Sequence, residues 1–388
     1  MKTPGAYQQS FLTRNVSRRS FLAIGAGGAM TAATLRFIPS VAAEGAYAPG
    51  KEIEGAYTFQ YGTYVAPVDN ALYQYATGDD GNAYYTTYDG TSWTGWENPG
   101  KQPAKVSWDP APVSYDGGSQ AYYTGDDGYI YQLSWDSYGE ATWENVSGEY
   151  TFSASPYATS SGDAVALYGT ATDGYVYHKG YTGEAGWGEW QPLNDAAYPA
   201  KVDAKPYSVT WDDHENTFWV GDDGKTYWNR YSYADQAWTG AKEIPADYTF
   251  AAVPYAVGYA PESALYAYSS SADGAPVYNT FSGEGWSGWQ PYDAAWTASS
   301  TPNAYVYNDA MHVVYTSNDK HAYYSQYGAE GWSEGWEDLG ANYGYDTQQY
   351  EYAGGLYLTY TGEDGSVYYR TFDGGGTVEP TPTPKVKY

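Results

Sequence analysis

The sequence predicts an all-β fold, a seven-bladed β-propeller built from four-stranded antiparallel blades. Three observations support this prediction: a turn motif that recurs every 45–50 residues, a tryptophan motif in phase with it, and a composition typical of strands and turns. The 388 residues include 49 Tyr, 16 Trp and 46 Gly, and aromatic residues make up 19% of the chain. Tyr and Trp favour strands and Gly favours turns, so this composition argues against a helical bundle and against a disordered chain.

The first 43 residues are predicted to be a twin-arginine signal peptide. SRRSFL at residues 17–22 closely resembles the twin-arginine export motif, and the apolar run at 23–33 is too short to span a membrane. Small residues at 41–43 suit cleavage after Ala43. The alternative is a chance arginine pair ahead of a buried helix. We expect an exported protein, extracellular or at the cell surface (periplasmic in a diderm), with no membrane insertion after cleavage.

The turn motif is an Asp-Gly turn followed by a tyrosine, and it has seven copies. The copies are GDDGNAYY (78–85), GDDGYIY (125–131), ATDGYVY (171–177), GDDGKTYW (221–228), SADGAPVY (271–278), the degenerate SNDKHAYY (317–324) and GEDGSVYY (362–369). Asp-Gly between alternating runs predicts a β-hairpin with a type I′ turn, because both residues tolerate a positive φ.

The second motif contains tryptophan and follows each of the first six turns by 16–18 residues. Its copies lie at 91–100, 140–148, 185–194, 237–245, 284–293 and 330–340. Each unit therefore has room for four short strands, with the Asp-Gly turn between the second and the third. Four-stranded units at this spacing are typical of propeller blades.

The seventh unit lacks the tryptophan motif, and the other end of the chain provides it. YAPGKEIEGAYTF (47–59) matches WTGAKEIPADYTF (238–250) at six of thirteen positions. The N-terminal segment is therefore predicted to supply the outer strand of the last blade. This gives a propeller domain at residues 44–374 and a Pro/Thr-rich tail at 375–388, which is predicted to be extended.

The charge balance and the absence of cysteine exclude several partners. The chain has 18 basic and 46 acidic residues, so nucleic acid and anionic membranes are poor partners. No cysteine is present, which excludes disulfides and Cys-ligated zinc. Doubled acids in the turns, such as Asp79 and Asp80, lack the alternating ligand spacing of a calcium loop, so we predict plain hairpins and no metal or cofactor.

The pattern Trp-x-x-Trp, a short turn, a strand and then Asp-Gly-x-x-Tyr resembles the seven-bladed, fucose- and galactose-binding lectins of Photorhabdus type. It is less similar to the six-bladed fungal fucose lectins. The resemblance covers residues 47–374 and implies sugar sites between neighbouring blades, lined by tryptophan and tyrosine. Three departures stand out: Glu140 replaces the first tryptophan in the second unit, Ala241 replaces the second in the fourth unit, and the sixth pair is spaced by four.

The first tryptophan of each pair is the candidate for carbohydrate binding, because it lies where a loop enters the outer strand. A rigid ring face suits pyranose C–H groups, and the ring N–H suits hydroxyls. The second members are expected to pack between blades, and packing is the alternative for the first members too. The candidates are Trp93, Trp187, Trp238, Trp286 and Trp332. Several weak sites in a ring would gain avidity on a repetitive glycan.

Enzymatic functions have little support in the sequence. A sialidase clamps its substrate with three arginines, whereas residues 44–388 contain only Arg230 and Arg370. The four histidines share no repeat position, and no phosphate loop, zinc motif or Ser/His/Asp signature occurs. The predicted function is therefore a secreted, non-enzymatic, lectin-like protein with glycan partners, either of the fucose/galactose type or polysaccharides. The alternatives are a structural or adhesive surface propeller that binds proteins or self-associates and, third, a polysaccharide-active enzyme.

Overall fold

A computed structural model describes residues 45–373, except 69–70, 136–138, 162–163, 293 and 334. The predicted signal peptide (1–43) and tail (375–388) lie outside the described residues. The described part forms seven antiparallel sheets arranged as blades, which confirms the predicted propeller. We number the blades 1–7 along the chain and letter their strands A–D from the axis outward.

The strands of the first four blades have the following bounds. Blade 1 comprises Tyr64–Val68, Ala71–Thr77 and Ala83–Tyr88; blade 2 comprises Val106–Tyr115, Gly118–Gly125, Ile130–Trp135 and Ala141–Asn145; blade 3 comprises Tyr157–Ser161, Ala164–Thr170, Val176–Thr182, Gly186–Trp187 and Gln191–Pro192; blade 4 comprises Tyr207–Trp211, His214–Val220, Thr226–Ser232, Ala237–Trp238 and Lys242–Ile244. Strand D of blade 1 is reduced to two isolated bridges, Tyr85 with Glu97 and Tyr88 with Trp93.

The other three blades follow the same plan. Blade 5 comprises Tyr255–Tyr259, Ala264–Ser270, Pro276–Phe281 and Gln290–Pro291; blade 6 comprises Asn303–Tyr307, Ala310–Thr316, Ala322–Gly328, Gly331–Trp332 and Glu337–Asp338; blade 7 comprises Thr347–Tyr352, Gly355–Thr361 and Val367–Asp373 with Ala46–Tyr47 and Lys51–Glu52. A single 3₁₀ turn, Ala260–Glu262, joins strands A and B of blade 5. Among the described residues, no helix is long and apolar enough to cross a membrane.

The N-terminal segment closes the ring as predicted. Ala46 pairs with Asp373 and Tyr47 with Phe372, and Lys51 pairs with Tyr369 further along the same strand. The Tyr47 hydroxyl also donates to Oε1 of Gln349 at 2.7 Å. The last blade is therefore built from both ends of the described chain, and hydrogen bonds and packing hold the ring closed at this point.

The Asp-Gly hairpins form, but the predicted type I′ turn is wrong. In blade 1 the Gly81 N–H donates to the Gly78 carbonyl at 2.9 Å, and Gly81 has a left-handed φ of 73° whereas Asp80 does not. A type I′ turn needs a positive φ at both central residues. The aspartate is instead held by its own carboxylate, which accepts the Asn82 N–H at 2.9 Å and the Tyr84 hydroxyl at 2.8 Å.

These hydrogen bonds to the carboxylate explain why the motif contains a tyrosine four residues after the aspartate. The same Tyr-to-Asp hydrogen bond occurs in six of the seven turns, donated by Tyr84, Tyr131, Tyr177, Tyr227, Tyr323 and Tyr368. Burial and the bond to Asp127 raise the pKa of Tyr131 to about 12, so its hydroxyl remains a donor at neutral pH. The carboxylates of the motif aspartates thus accept hydrogen bonds within their own hairpins.

The turns also join neighbouring blades. The glycine of each turn, or Lys320 in blade 6, accepts a backbone N–H from the segment that enters the next blade. The seven bonds measure 2.7–3.0 Å and are donated by Phe59, Val106, Phe152, Ala200, Phe250, Ala298 and Tyr343. The bond from Phe59 to Gly365 links blade 7 to blade 1, so the hydrogen-bonded ring is complete.

Replacing Lys320 with glycine is expected to stabilise the protein. Lys320 has a φ of 65°, a left-handed conformation that costs a residue with a Cβ about 1 kcal/mol. Lys320→Gly should therefore raise the free energy of unfolding by about that amount in urea denaturation. The matched control is Gly174→Ala, where φ is 81° and the nearest atom to an added Cβ is 3.9 Å away. That control should be destabilised, and a stabilised control would refute the argument.

Four segments from separate blades meet on the propeller axis around Lys205, which precedes blade 4. Its Nζ lies 2.6 Å from the Tyr64 hydroxyl, 2.7 Å from Oδ2 of Asp109 and 3.4 Å from Oδ2 of Asp346. The lysine and both carboxylates are largely buried, with the Lys205 side chain 18% exposed. Because Lys205 leads into blade 4 and its partners belong to blades 1, 2 and 7, this cation joins blade 4 to three blades that are not its neighbours.

Candidate functional site

A seven-fold aromatic position lies at the end of strand C. Its members are Tyr88, Trp135, Tyr181, Tyr231, Phe281, Tyr327 and Phe372. In six blades an aromatic ring from strand D packs against this position, with ring centroids 5.0–5.4 Å apart. These strand D rings are the five predicted tryptophans, Trp93, Trp187, Trp238, Trp286 and Trp332, together with Tyr47 from the N-terminal strand.

The five tryptophans also reach the preceding blade. Trp286 lies 5.3 Å from Trp228, and Trp238 lies 5.0 Å from His178, measured between ring centroids. The Nε1 of Trp187 donates to Gln132 at 3.2 Å. All five side chains are half-buried and fill their interfaces. Sugar binding by these tryptophans stays a prediction.

The ring nitrogens of three of these tryptophans are enclosed. Nε1 of Trp93, Trp238 and Trp286 is buried and has no hydrogen-bond partner within the described part of the chain. A sugar hydroxyl could reach such a donor only if the interface opened. The second tryptophans pack as expected: Trp96 and Trp190 are buried against phenylalanines, with centroids 4.5 and 4.7 Å apart.

The interface between blades 1 and 2 is built differently. Ala141 lies opposite the strand C aromatic residue here, where the other blades have a tryptophan or Tyr47, and the exposed carboxylate of Glu140 just before it pairs with Lys101 at 3.4 Å. Trp135, at the strand C position, packs directly on blade 1, 5.2 Å from Tyr85 and 6.0 Å from Tyr73. A cleft of about 510 Å³ lies beside these rings. We name it the 1/2 cleft.

The 1/2 cleft combines ring faces with hydrogen-bonding groups. Its aromatic lining consists of Tyr73, Tyr85, Tyr115 and Trp135, and its charged lining consists of Glu97 and Asp116. No lysine or arginine is among its lining residues. Four aromatic rings beside carboxylates, hydroxyls and amides suit a polyhydroxylated ligand with apolar C–H faces.

The hydroxyl of Tyr85 is oriented by a carboxylate. It donates to Oε2 of Glu97 at 2.8 Å, and burial together with this bond raises the pKa of Tyr85 to about 12. The tyrosine therefore stays protonated across the physiological range. Oxygen lone pairs on Glu97 that this bond does not use remain able to accept hydrogen bonds from a ligand.

A second cavity of about 500 Å³ lies near the Asp-Gly turn of blade 5. It is lined by Tyr248, Asp273, Val277 and Pro291 among others, with one aromatic ring. A single ring offers a pyranose less stacking surface than the 1/2 cleft does. None of the five predicted tryptophans lines either of these two cavities.

The sequence alone did not identify the 1/2 cleft, although two signals pointed to it. The Glu140 substitution was visible as a departure from the repeat. Trp135 is also visible in the sequence, eight residues after its motif aspartate, where the other units have Tyr or Phe. Strand D of blade 2 lacks a ring at this position, and strand C has a larger ring. Only the fold shows that both differences affect the same interface.

Comparisons with known proteins support the fold. No family model and no curated protein matches the sequence. The BP39L lectin from Burkholderia pseudomallei is similar in structure, with a TM-score of 0.69 and 14% identity over 81% of this chain and 95% of that chain. An ulvan lyase of polysaccharide lyase family PL25 reaches 0.53, with 11% identity over 80% of this chain and 94% of that chain.

A complex of the Aleuria aurantia lectin with α-methyl-L-fucoside reaches a TM-score of 0.49, with 13% identity over 71% of this chain and 95% of that chain. At such identities, shared structure establishes shared architecture alone. This chain therefore has the β-propeller fold that a bacterial lectin also has.

Proposed function

We propose that this protein binds glycans without catalysis and that the 1/2 cleft is its binding site. The observation that supports this most directly is the lining of the cleft, where four aromatic rings lie beside two carboxylates at the interface that has Ala141 opposite the strand C aromatic residue. Ring faces can stack on sugar C–H groups while carboxylates accept hydrogen bonds from hydroxyls. The shared fold with a lectin is consistent with this proposal.

Trp135→Ala is expected to weaken glycan binding by on the order of tenfold, because it removes a stacking face from the cleft. A glycan array with the purified protein would identify a ligand, and calorimetry would compare the variants. Trp286→Ala forms the second arm, since Trp286 is also half-buried but packs between blades 4 and 5. Thermal unfolding of both variants separates lost binding from lost folding.

The experiment distinguishes four results. Loss in Trp135→Ala alone supports the 1/2 cleft, whereas loss in Trp286→Ala alone would move the site to the predicted tryptophans. A folded protein that binds no glycan would overturn the proposal and favour a structural or adhesive surface role. Release of new reducing or unsaturated ends from a polysaccharide, abolished by Glu97→Gln, would replace binding with catalysis.

We also propose that the protein is exported by the twin-arginine route and acts outside the cytoplasm. The twin-arginine motif at residues 17–22 and the small residues before position 44 support this. Replacing both Arg18 and Arg19 with lysine is expected to retain the precursor in the cell. N-terminal sequencing of exported protein should begin at Glu44, and an intact N-terminus outside the cell would contradict the predicted cleavage.

A further inference from the structure

We propose that the 1/2 cleft recognises the protonated amine of an amino sugar, so that its preferred ligands are glycans with unacetylated hexosamine residues. This inference rests on the proposed function and names the chemical class of the ligand. The corresponding interface between blades 4 and 5 of the same chain shows what this arrangement of rings can hold.

The interface between blades 4 and 5 already holds a cation on aromatic rings. The guanidinium carbon of Arg230 lies 4.9 Å from the ring centroid of Phe281 and 5.6 Å from that of Trp228. The Nε of Arg230 is buried without a hydrogen-bond partner among the described residues. The rings are therefore important partners of this cation, and such contacts are favourable for arginine on aromatic faces.

The repeat places the same two ring positions in the 1/2 cleft. Trp228 and Tyr85 each lie five residues after their motif aspartate. Phe281 and Trp135 each lie eight residues after theirs. In the cleft these two rings are 5.2 Å apart between centroids, and both line the cavity. The rings that hold Arg230 in one interface thus have counterparts exposed to a ligand in the other.

The arginine itself has no counterpart in the cleft. Arg230 lies seven residues after Asp223, and the residue seven after Asp80 is Thr87, whose short side chain lines the cavity. The chain therefore leaves open the place where a cation would rest on the rings. A cation supplied by a ligand can occupy that place without displacing one from the protein.

The charges around the cleft favour the same ligand. Glu97 and Asp116 are its charged lining residues, and both are acidic. Lys101, at the edge of the interface, is paired with Glu140. A protonated amine would gain charge-assisted hydrogen bonds to the carboxylates and a cation–π contact with the rings. A uronate or sulfate would be repelled by the same carboxylates.

The test uses glucosamine hexamer and N-acetylglucosamine hexamer as probes, which differ only in whether the amine is free. Calorimetry with the purified protein should show the free amine hexamer binding about tenfold more tightly near pH 6. Raising the pH to about 9 removes the proton from the amine, so the preference should disappear. Glu97→Gln should weaken binding of the free amine hexamer more than binding of the acetylated hexamer, so the preference should fall by several-fold.

Thr87→Arg is the decisive variant. It places an arginine at the position that Arg230 has in blade 4. The guanidinium should then lie on the ring faces of the cleft and abolish the preference for the free amine. Arg230→Thr, a change in the other interface, is the control and should leave the preference intact. Wild-type-like binding by folded Thr87→Arg would overturn the inference.

The outcomes also separate this inference from the proposed function. Equal binding of both hexamers, or binding of the acetylated one alone, would overturn the amine inference while glycan binding stands. Binding of neither hexamer, with a different neutral glycan bound in the array, would likewise overturn the amine inference alone. Binding of no glycan at all would overturn both.

Discussion

Replacing Tyr47 with alanine is expected to lower the free energy of unfolding by about 3–5 kcal/mol, the usual cost of deleting a buried aromatic side chain. Tyr47 is 5% exposed and packs against Tyr324 and Phe372, with ring centroids 5.2 and 5.3 Å apart. Its loss would leave a cavity in the blade that closes the ring. Urea denaturation followed by tryptophan fluorescence measures the change.

Two further variants test whether the loss of stability in Tyr47→Ala arises from a weakened closure of the ring. Tyr47→Phe removes only the hydrogen bond to buried Gln349 and should cost about 1 kcal/mol. Tyr57→Ala changes a tyrosine that is 40% exposed in the same N-terminal segment, and it should cost less than about 1 kcal/mol. Equal losses in Tyr47→Ala and Tyr57→Ala would contradict a specific role for the closing strand.

Replacing Lys205 with methionine is expected to cost about 3 kcal/mol, because it leaves Asp109 and Asp346 without their shared cation in a largely buried site. This is the low end for a broken buried ion pair, since about a fifth of each side chain remains exposed. Burial alone would lower the pKa of Lys205, but Asp109 and its other partners outweigh burial and hold that pKa well above its ordinary value. The lysine is therefore charged throughout the physiological range.

Asp346→Asn should behave differently from Lys205→Met. Burial raises the pKa of Asp346 above its ordinary value, even beside Lys205. The folded state therefore binds this proton more tightly than the unfolded chain, and wild-type stability should rise as the pH falls through the raised pKa toward the ordinary aspartate range. Asp346→Asn should lack this gain and cost less than Lys205→Met at neutral pH.

Urea midpoints measured from neutral pH down to about pH 4 check both statements, since that window ends at the ordinary aspartate pKa. If the rise in stability at lower pH persists in Asp346→Asn, another titrating group must cause it. A loss in Asp346→Asn as large as that in Lys205→Met would show that the two carboxylates are equally needed.

The repeat made the architecture predictable from the sequence. The spacing of the turns fixed the number of blades, and the match between 47–59 and 238–250 identified the closing strand. Turn type was harder to predict, because the Asp80 carboxylate competes with the backbone preference that Asp-Gly usually shows. A side-chain hydrogen bond four residues away decided the local conformation.

The candidate site was only partly predictable, because it depends on contacts between units. Trp135 and Tyr85 lie 50 residues apart, and each residue alone fits the strand pattern of its own blade. The axial cluster occupies a common repeat position, since Asp109, Lys205 and Asp346 each lie 18 residues before the motif aspartate of their own blade, but this spacing does not show that the lysine of one blade meets the carboxylates of two others. Such contacts arise where the ring brings distant segments together, which periodicity along the chain does not encode.

The strand pairing of Ala46 with Asp373 also determines the order in which the blades can fold during synthesis. The ribosome makes the closing strand before blades 1 to 6 and its partner after them, so those six blades can form on a nascent chain while blade 7 must wait until translation reaches its third strand. During that time the partly built propeller presents an open end with an unpaired edge, the kind of surface at which chains aggregate or swap strands. Closure consequently has to wait for the third strand of blade 7, and a chain threaded unfolded through a membrane would have to close the ring on the far side.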